Sequence, residues 1–63
     1  MNKIKLLRNK LGMTVRDLSE KSGVAISYIS VLENDQDGTS NPTKDVMLKI
    51  AKSLNSTVPD VFF

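Results

Sequence analysis

Met13-Thr14-Val15-Arg16-Asp17-Leu18-Ser19-Glu20-Lys21-Ser22-Gly23-Val24-Ala25-Ile26-Ser27-Tyr28-Ile29-Ser30-Val31-Leu32-Glu33 is the stretch that decides the fold. An apolar helical pattern ends near Lys21 and another starts near Ala25, with Gly23 between them where the first helix must stop. Thr14 opens the first of these helices: its hydroxyl can accept from the Asp17 amide while the Asp17 carboxylate reaches back, an arrangement worth about 1 kcal/mol. Leu18 is the main core contact of that helix, and Ile29 and Leu32 give the second its apolar stripe. The segment reads as helix, turn, helix.

Outward from this stretch the pattern stays helical. Ile4, Leu7 and Leu11 repeat at helical spacing, and Gly12 marks the stop of a first helix from about Lys3 to Leu11. Asn34 to Thr43 is a polar, glycine-containing loop, long for a helix-to-helix connection, which hands over after Pro42 to a fourth helix beginning near Thr43. Met47, Ile50, Ala51 and Leu54 form the stripe of that helix. Thr57 repeats the cap-and-acid pattern with Asp60 and allows Pro59 in the first turn, so a short fifth helix should hold Val58, Val61, Phe62 and Phe63. There is no strand signal, repeat or linker. The expectation is one all-α domain over residues 1–63, because a chain of 63 residues buries only about 60% of its unfolded surface around a single core.

Composition excludes several classes of activity. With no cysteine there is no disulfide, thiolate or zinc-ribbon chemistry, and with no histidine the usual neutral-pH general base is missing. The carboxylates are scattered, no nucleophile has a base beside it, and no glycine-rich phosphate cradle exists, so an enzyme is not expected. The chain has no run of about 18 apolar residues, and its N-terminus is charged and amphipathic, which points to a soluble cytoplasmic protein without membrane contact. The formal net charge is only +2, but it is unevenly spread. Residues 1–21 hold six cations against Asp17 and Glu20, whereas residues 22–43 hold Glu33, Asp35 and Asp37 and no cation. Lys3, Lys5 and Lys10 read as a solvated face.

Taken together, Leu7-Arg8 with Gly12, the Thr14–Leu18 helix, Gly23-Val24, Ser27-Tyr28-Ile29-Ser30, Leu32-Glu33, Asn41-Pro42 and Lys49-Ile50-Ala51-Lys52 with Leu54 resemble a known family. This is the Cro and phage-repressor type (XRE) of helix-turn-helix DNA-binding domains in bacteria and their phages. The resemblance covers essentially the whole chain and implies a compact five-helix lambda-repressor-like domain whose helices 2 and 3 form the helix-turn-helix. Gly-Val-Ala-x-Ser-Tyr looks most like repressors of developmental and biofilm switches in Gram-positive bacteria.

The resemblance also implies roles. The helix from about Ile26 to Asn34 would lie in the major groove, with Ile26, Ser27, Tyr28, Ser30 and Val31 facing or flanking base edges. Thr14, Val15, Arg16, Asn41, Thr43 and Lys44 would lie where phosphates pass. Serine and tyrosine hydroxyls suit several bases, whereas Ile26 and Val31 can only pack on a thymine methyl, a weak preference for A·T steps. Family members often place glutamine, arginine or lysine where this chain has Val15, Ile26 and Val31, and Asp35 and Asp37 would repel a nearby phosphate. Arg8 and Glu33 resemble the family's structural ion pair, with a phosphate contact as the other reading for Arg8. Tyr28 is read either as a ring resting on the neighbouring helix or as a sugar-phosphate contact, and Arg16 either as a solvated helix charge or as a phosphate ligand.

Val58, Val61, Phe62 and Phe63 are too many apolar residues for one small core, and the family's habit is a two-fold dimer through the last helix. A homodimer on an inverted-repeat operator is therefore expected; a missing part of a longer chain docking there is the other reading. Glu33-x-Asp35-x-Asp37-Gly38-x-x-Asn41-x-x-Lys44 imitates a calcium loop, but Lys44 stands where a bidentate glutamate is required, so no metal is expected. No other cofactor and no small-molecule ligand is implied. The leading functional expectation is a sequence-specific transcriptional regulator, a repressor covering a promoter on double-stranded DNA. The alternative is a protein-interaction module of the same fold, serving an antitoxin or antirepressor partner.

Overall fold

Thr14, Thr43 and Thr57 each stand in extended backbone and accept a helix amide on their hydroxyls, and these three local devices set where three of the helices begin. The computed structural model describes residues 2–35 and 41–63. Its elements are α1 (Ile4–Lys10), α2 (Val15–Ser22), α3 (Ile26–Glu33), α4 (Lys44–Ser53) and α5 (Val58–Phe62), with no strand among the described residues. At the start of α2 the capping box is complete: the Asp17 amide donates to Thr14 Oγ1 at 3.0 Å and the Thr14 amide donates to the Asp17 carboxylate at 2.9 Å. The box holds the Asp17 carboxyl below its ordinary pKa, chiefly through the Thr14 amide and secondarily through the Thr14 hydroxyl.

Helix ends follow equally local rules. Gly12 and Gly23 have φ of +68° and +77°, the left-handed region in which a side chain costs roughly 1–2 kcal/mol. A Cβ on Gly23 would meet no atom within 4 Å, so the corner requires glycine for its dihedral and not for room. Asn55 takes the same role after α4, with φ of +54°, and the Ser56 amide reaches back to the Ala51 carbonyl at 2.9 Å.

Every helix contributes to one core, built from Ile4, Leu18, Ile29, Leu32, Ile50, Ala51, Leu54 and Val61 together with Val24 of the α2–α3 corner. Leu7, Met13, Val15, Val46, Val58 and Phe62 pack against its rim. The α2 helix packs on α3 and α4, α4 on α5, and α1 on α3 and α5. The chain start is strapped down: the Lys3 amide donates to the Val61 carbonyl, and Asn2 donates to the Leu32 carbonyl, both at 2.8 Å.

Burial departs from the plain apolar pattern at two positions. Leu11 is 45% exposed, because it lies one residue past the last turn of α1, and Arg8 occupies the buried position instead. Val61 is 1% exposed and belongs to the monomer core, so it is not available to a second copy; Val58 and Phe62 are half-buried, and only Phe63, 88% exposed, projects fully. The calcium-loop residues Asp37 and Gly38 lie outside the described residues.

Arg8 lies in the interior with its fork matched. Nε donates to Glu33 Oε2 at 2.9 Å and Nη2 to Glu33 Oε1 at 3.1 Å, while Nη1 donates to the Met13 carbonyl at 2.8 Å. The two side chains are 11% and 7% exposed, and the pair ties α1 to the end of α3. Breaking one partner of such a pair costs about 3–5 kcal/mol, whereas replacing both by apolar groups is often neutral. A 63-residue domain has roughly 3–9 kcal/mol of total stability.

Glu33→Ala should therefore abolish most of the folded population in a urea titration, and the double replacement Arg8→Met with Glu33→Leu should restore a cooperative transition. Asp17 yields a pH-dependent prediction. Since its folded pKa is lowered, its contribution is complete above the ordinary aspartate value near ~3.9 and is lost as pH falls through the folded value. Asp17→Ala should thus melt below the parent chain at pH 7, and the gap should close on acidification below that range.

Candidate nucleic-acid interface

The direction in which α3 presents its outer face is set at the corner before it. Gly23 turns the chain, its amide donating to the Ser19 carbonyl at 2.8 Å. Val24 then drops into the core, and both of its main-chain groups are taken by serines of α2. Ser19 Oγ donates to the Val24 carbonyl at 2.6 Å, and the Val24 amide donates to Ser22 Oγ at 3.2 Å. Ser22 is itself buried. These serines fix the residue just before Ala25, which starts α3 without a side-chain cap.

Beyond the corner, Ile29 and Leu32 point into the core and Ser27, Val31 and Asn34 line the opposite side at i, i+4 and i+7. Ser27 and Asn34 are exposed, Val31 is 55% exposed, and Ile26 (43%) and Tyr28 (36%) flank this ridge. Ser30 is half-buried, and its carbonyl accepts from Asn34 Nδ2 at 2.9 Å. Glu33, the one charged residue of α3, is turned inward onto Arg8, so the outer face of the helix carries no charge.

The residues expected near phosphates divide by what they can offer. Arg16 and Lys44 are exposed cations in the first turns of α2 and α4. The hydroxyls of Thr14 and Thr43 already accept the amides of Asp17 and Val46, at 3.0 and 3.2 Å. Val15 is half-buried against the core, so its side chain offers an anion nothing and its main chain lies with the first amides of α2. The Asp17 carboxylate sits at the same helix end and offsets part of the positive end of the helix dipole. Attraction for an anion at this end therefore rests on the Arg16 side chain. Asn41 is exposed ahead of α4, and because α2 packs on both α3 and α4, the two helix starts and the ridge belong to one packed unit.

The electrostatics differ from the plain charge count. Of the three anions in residues 22–43, Glu33 is neutralised in the interior and Asp35 is half-buried just after α3, while Asp37 lies outside the described residues. Asp45 pairs with Lys49 at 3.0 Å on the exposed side of α4, a contact worth about 0.3–0.5 kcal/mol. Among the described residues no group of three acidic residues is placed to hold a metal ion. The serine clamp on Val24, the Asn2 strap and the Asn34 back-bond escaped sequence reasoning. Each joins a common polar residue to a main-chain group, a pairing that no spacing rule singles out.

A helix-turn-helix family model matches residues 4–61, from the first residue of α1 into α5. Neither a curated protein nor a solved structure matches the chain significantly. With the left-handed corner, the exposed face of α3 and a family match across nearly its whole length, the chain belongs to the XRE-type helix-turn-helix family of DNA-binding transcription regulators.

Proposed function

We propose that the protein is a sequence-specific repressor that binds an inverted-repeat operator as a homodimer and covers a promoter. The observation that carries this reading is the outer face of α3, exposed along Ile26, Ser27, Tyr28 and Val31 while Ile29 and Leu32 anchor its other side. A helix presented in this way fits the major groove. Arg16 and Lys44 supply the phosphate attraction, supported by main-chain groups around Thr14, Val15 and Thr43 and by the Asn41 side chain. Phe63, with the half-buried Val58 and Phe62 beside it, is the surface for the second copy. A two-fold pair spaces the two α3 helices by about 34 Å, one turn of duplex. No helix among the described residues is long and apolar enough to cross a membrane, in keeping with a regulator acting on cytoplasmic DNA.

The uncharged α3 face supports one competing reading, a module of the same fold that docks another protein through Ile26 and Val31. Salt dependence separates the two. Selection from random duplex DNA should enrich a symmetric motif. Arg16→Ala and Lys44→Ala should each weaken binding to every duplex alike and reduce the slope of log affinity against log salt by about 1. Failure of both substitutions to change that slope would transfer the function to the protein-docking reading. Sedimentation should show a dimer at tens of micromolar for the parent chain and a monomer for Phe63→Ser; a parent chain that sediments as a monomer with and without its site removes the dimer.

A further inference from the structure

α3 offers the groove an unusual set of groups. Ile26 and Val31, 43% and 55% exposed, stand on either side of Ser27 on its outer surface. Neither arginine, lysine nor glutamine occurs between Ile26 and Asn34. The carboxamide of Asn34 lies at the C-terminal end, away from the turns that approach base edges, and Nδ2 is committed to the Ser30 carbonyl at 2.9 Å. The hydroxyls of Ser27 and Tyr28 both donate and accept, so they satisfy more than one base and discriminate little.

An aliphatic side chain pressed on a base edge strips water from donors and acceptors without replacing their hydrogen bonds, which favours rejection. One major-groove feature escapes this penalty: the methyl on C5 of a pyrimidine, apolar and projecting. We propose that Ile26 and Val31 are the specificity-determining residues of this interface and that they read C5-methyl groups of pyrimidines in the major groove. The inference rests on the DNA-binding reading above and names what that surface recognises. The same methyl occurs on thymine and on 5-methylcytosine, and both belong to the test.

The test uses the full chain and a duplex enriched by selection, with single bases replaced by their analogues and affinity read at fixed salt. At positions facing Ile26 or Val31, thymine should bind about three- to fourfold more tightly than uracil, the effect of burying one methyl-sized group. At the same positions, 5-methylcytosine should exceed cytosine by a similar factor. A gain missing from either pair overturns the inference. Ile26→Ser and Val31→Ser change exposed side chains, so both variants should unfold at close to the parent temperature, and each should bind thymine and uracil equally at its own position. A thymine–uracil gap that survives both substitutions also overturns it. Enrichment of no duplex at all would remove the DNA-binding reading and this inference with it, whereas enrichment without any methyl effect removes this inference alone.

Discussion

Everything outward of the core depends on the seating of Val24. Its side chain is buried, its amide and carbonyl are held by Ser22 and Ser19, and Gly23 before it turns through the left-handed region. With Val24 in place, Ile29 and Leu32 reach the core five and eight residues later, and helical geometry leaves Ser27 and Val31 no direction but outward. The outward face of α3 is thus a consequence of core packing at one residue. A shift of α3 by a single position would carry both Ile29 and Leu32 out of the interior.

Charge is used with similar economy. The chain contains nine cations and seven anions, but Arg8 and Glu33 cancel inside the fold and Lys49 and Asp45 cancel on the outside of α4. The buried pair is expensive to desolvate. Its matched fork, and the third contact to the Met13 carbonyl, make it a tie between α1 and α3 whose value lies in orientation more than in net stability. At the start of α2, the Asp17 carboxylate that completes the cap also offsets part of the positive end of the helix dipole. At the starts of α2 and α4 the exposed cations are Arg16 and Lys44, and the outer face of α3 offers hydroxyls and aliphatic groups.

The helices were legible because their ends are local. Thr14, Thr43 and Thr57 are capping residues that act within three positions of themselves, and Gly23 stops α2 by its own dihedral preference. The family resemblance extended this to the five-helix arrangement, which the match over residues 4–61 supports. Leu11 and Val61 were harder to place. At helical spacing Leu11 belongs to the stripe of α1, but the helix ends one residue earlier and the side chain leaves the interior. Val61 stands in a run of apolar residues that looks like surplus, and only contact with α1 and α4 draws it inside while Phe63 stays out. Of the candidate interface, the outward set on α3 could be read from periodicity, but the inward turn of Glu33 removes its charge from that face and Val15 is half-buried against the core.

By itself the sequence determined the number of helices, their start points, the corner at Gly23 and the face of α3 opposite Ile29 and Leu32, since each follows from interactions within one or two helical turns. The tertiary structure alone decided that Arg8 is buried against Glu33, that Ser19 and Ser22 clamp Val24, that Asn2 straps the chain start to Leu32, and that Val61 is core while Phe63 is surface. Those outcomes depend on how much water each group loses when distant segments meet, a quantity that a residue acquires only from its neighbours in space.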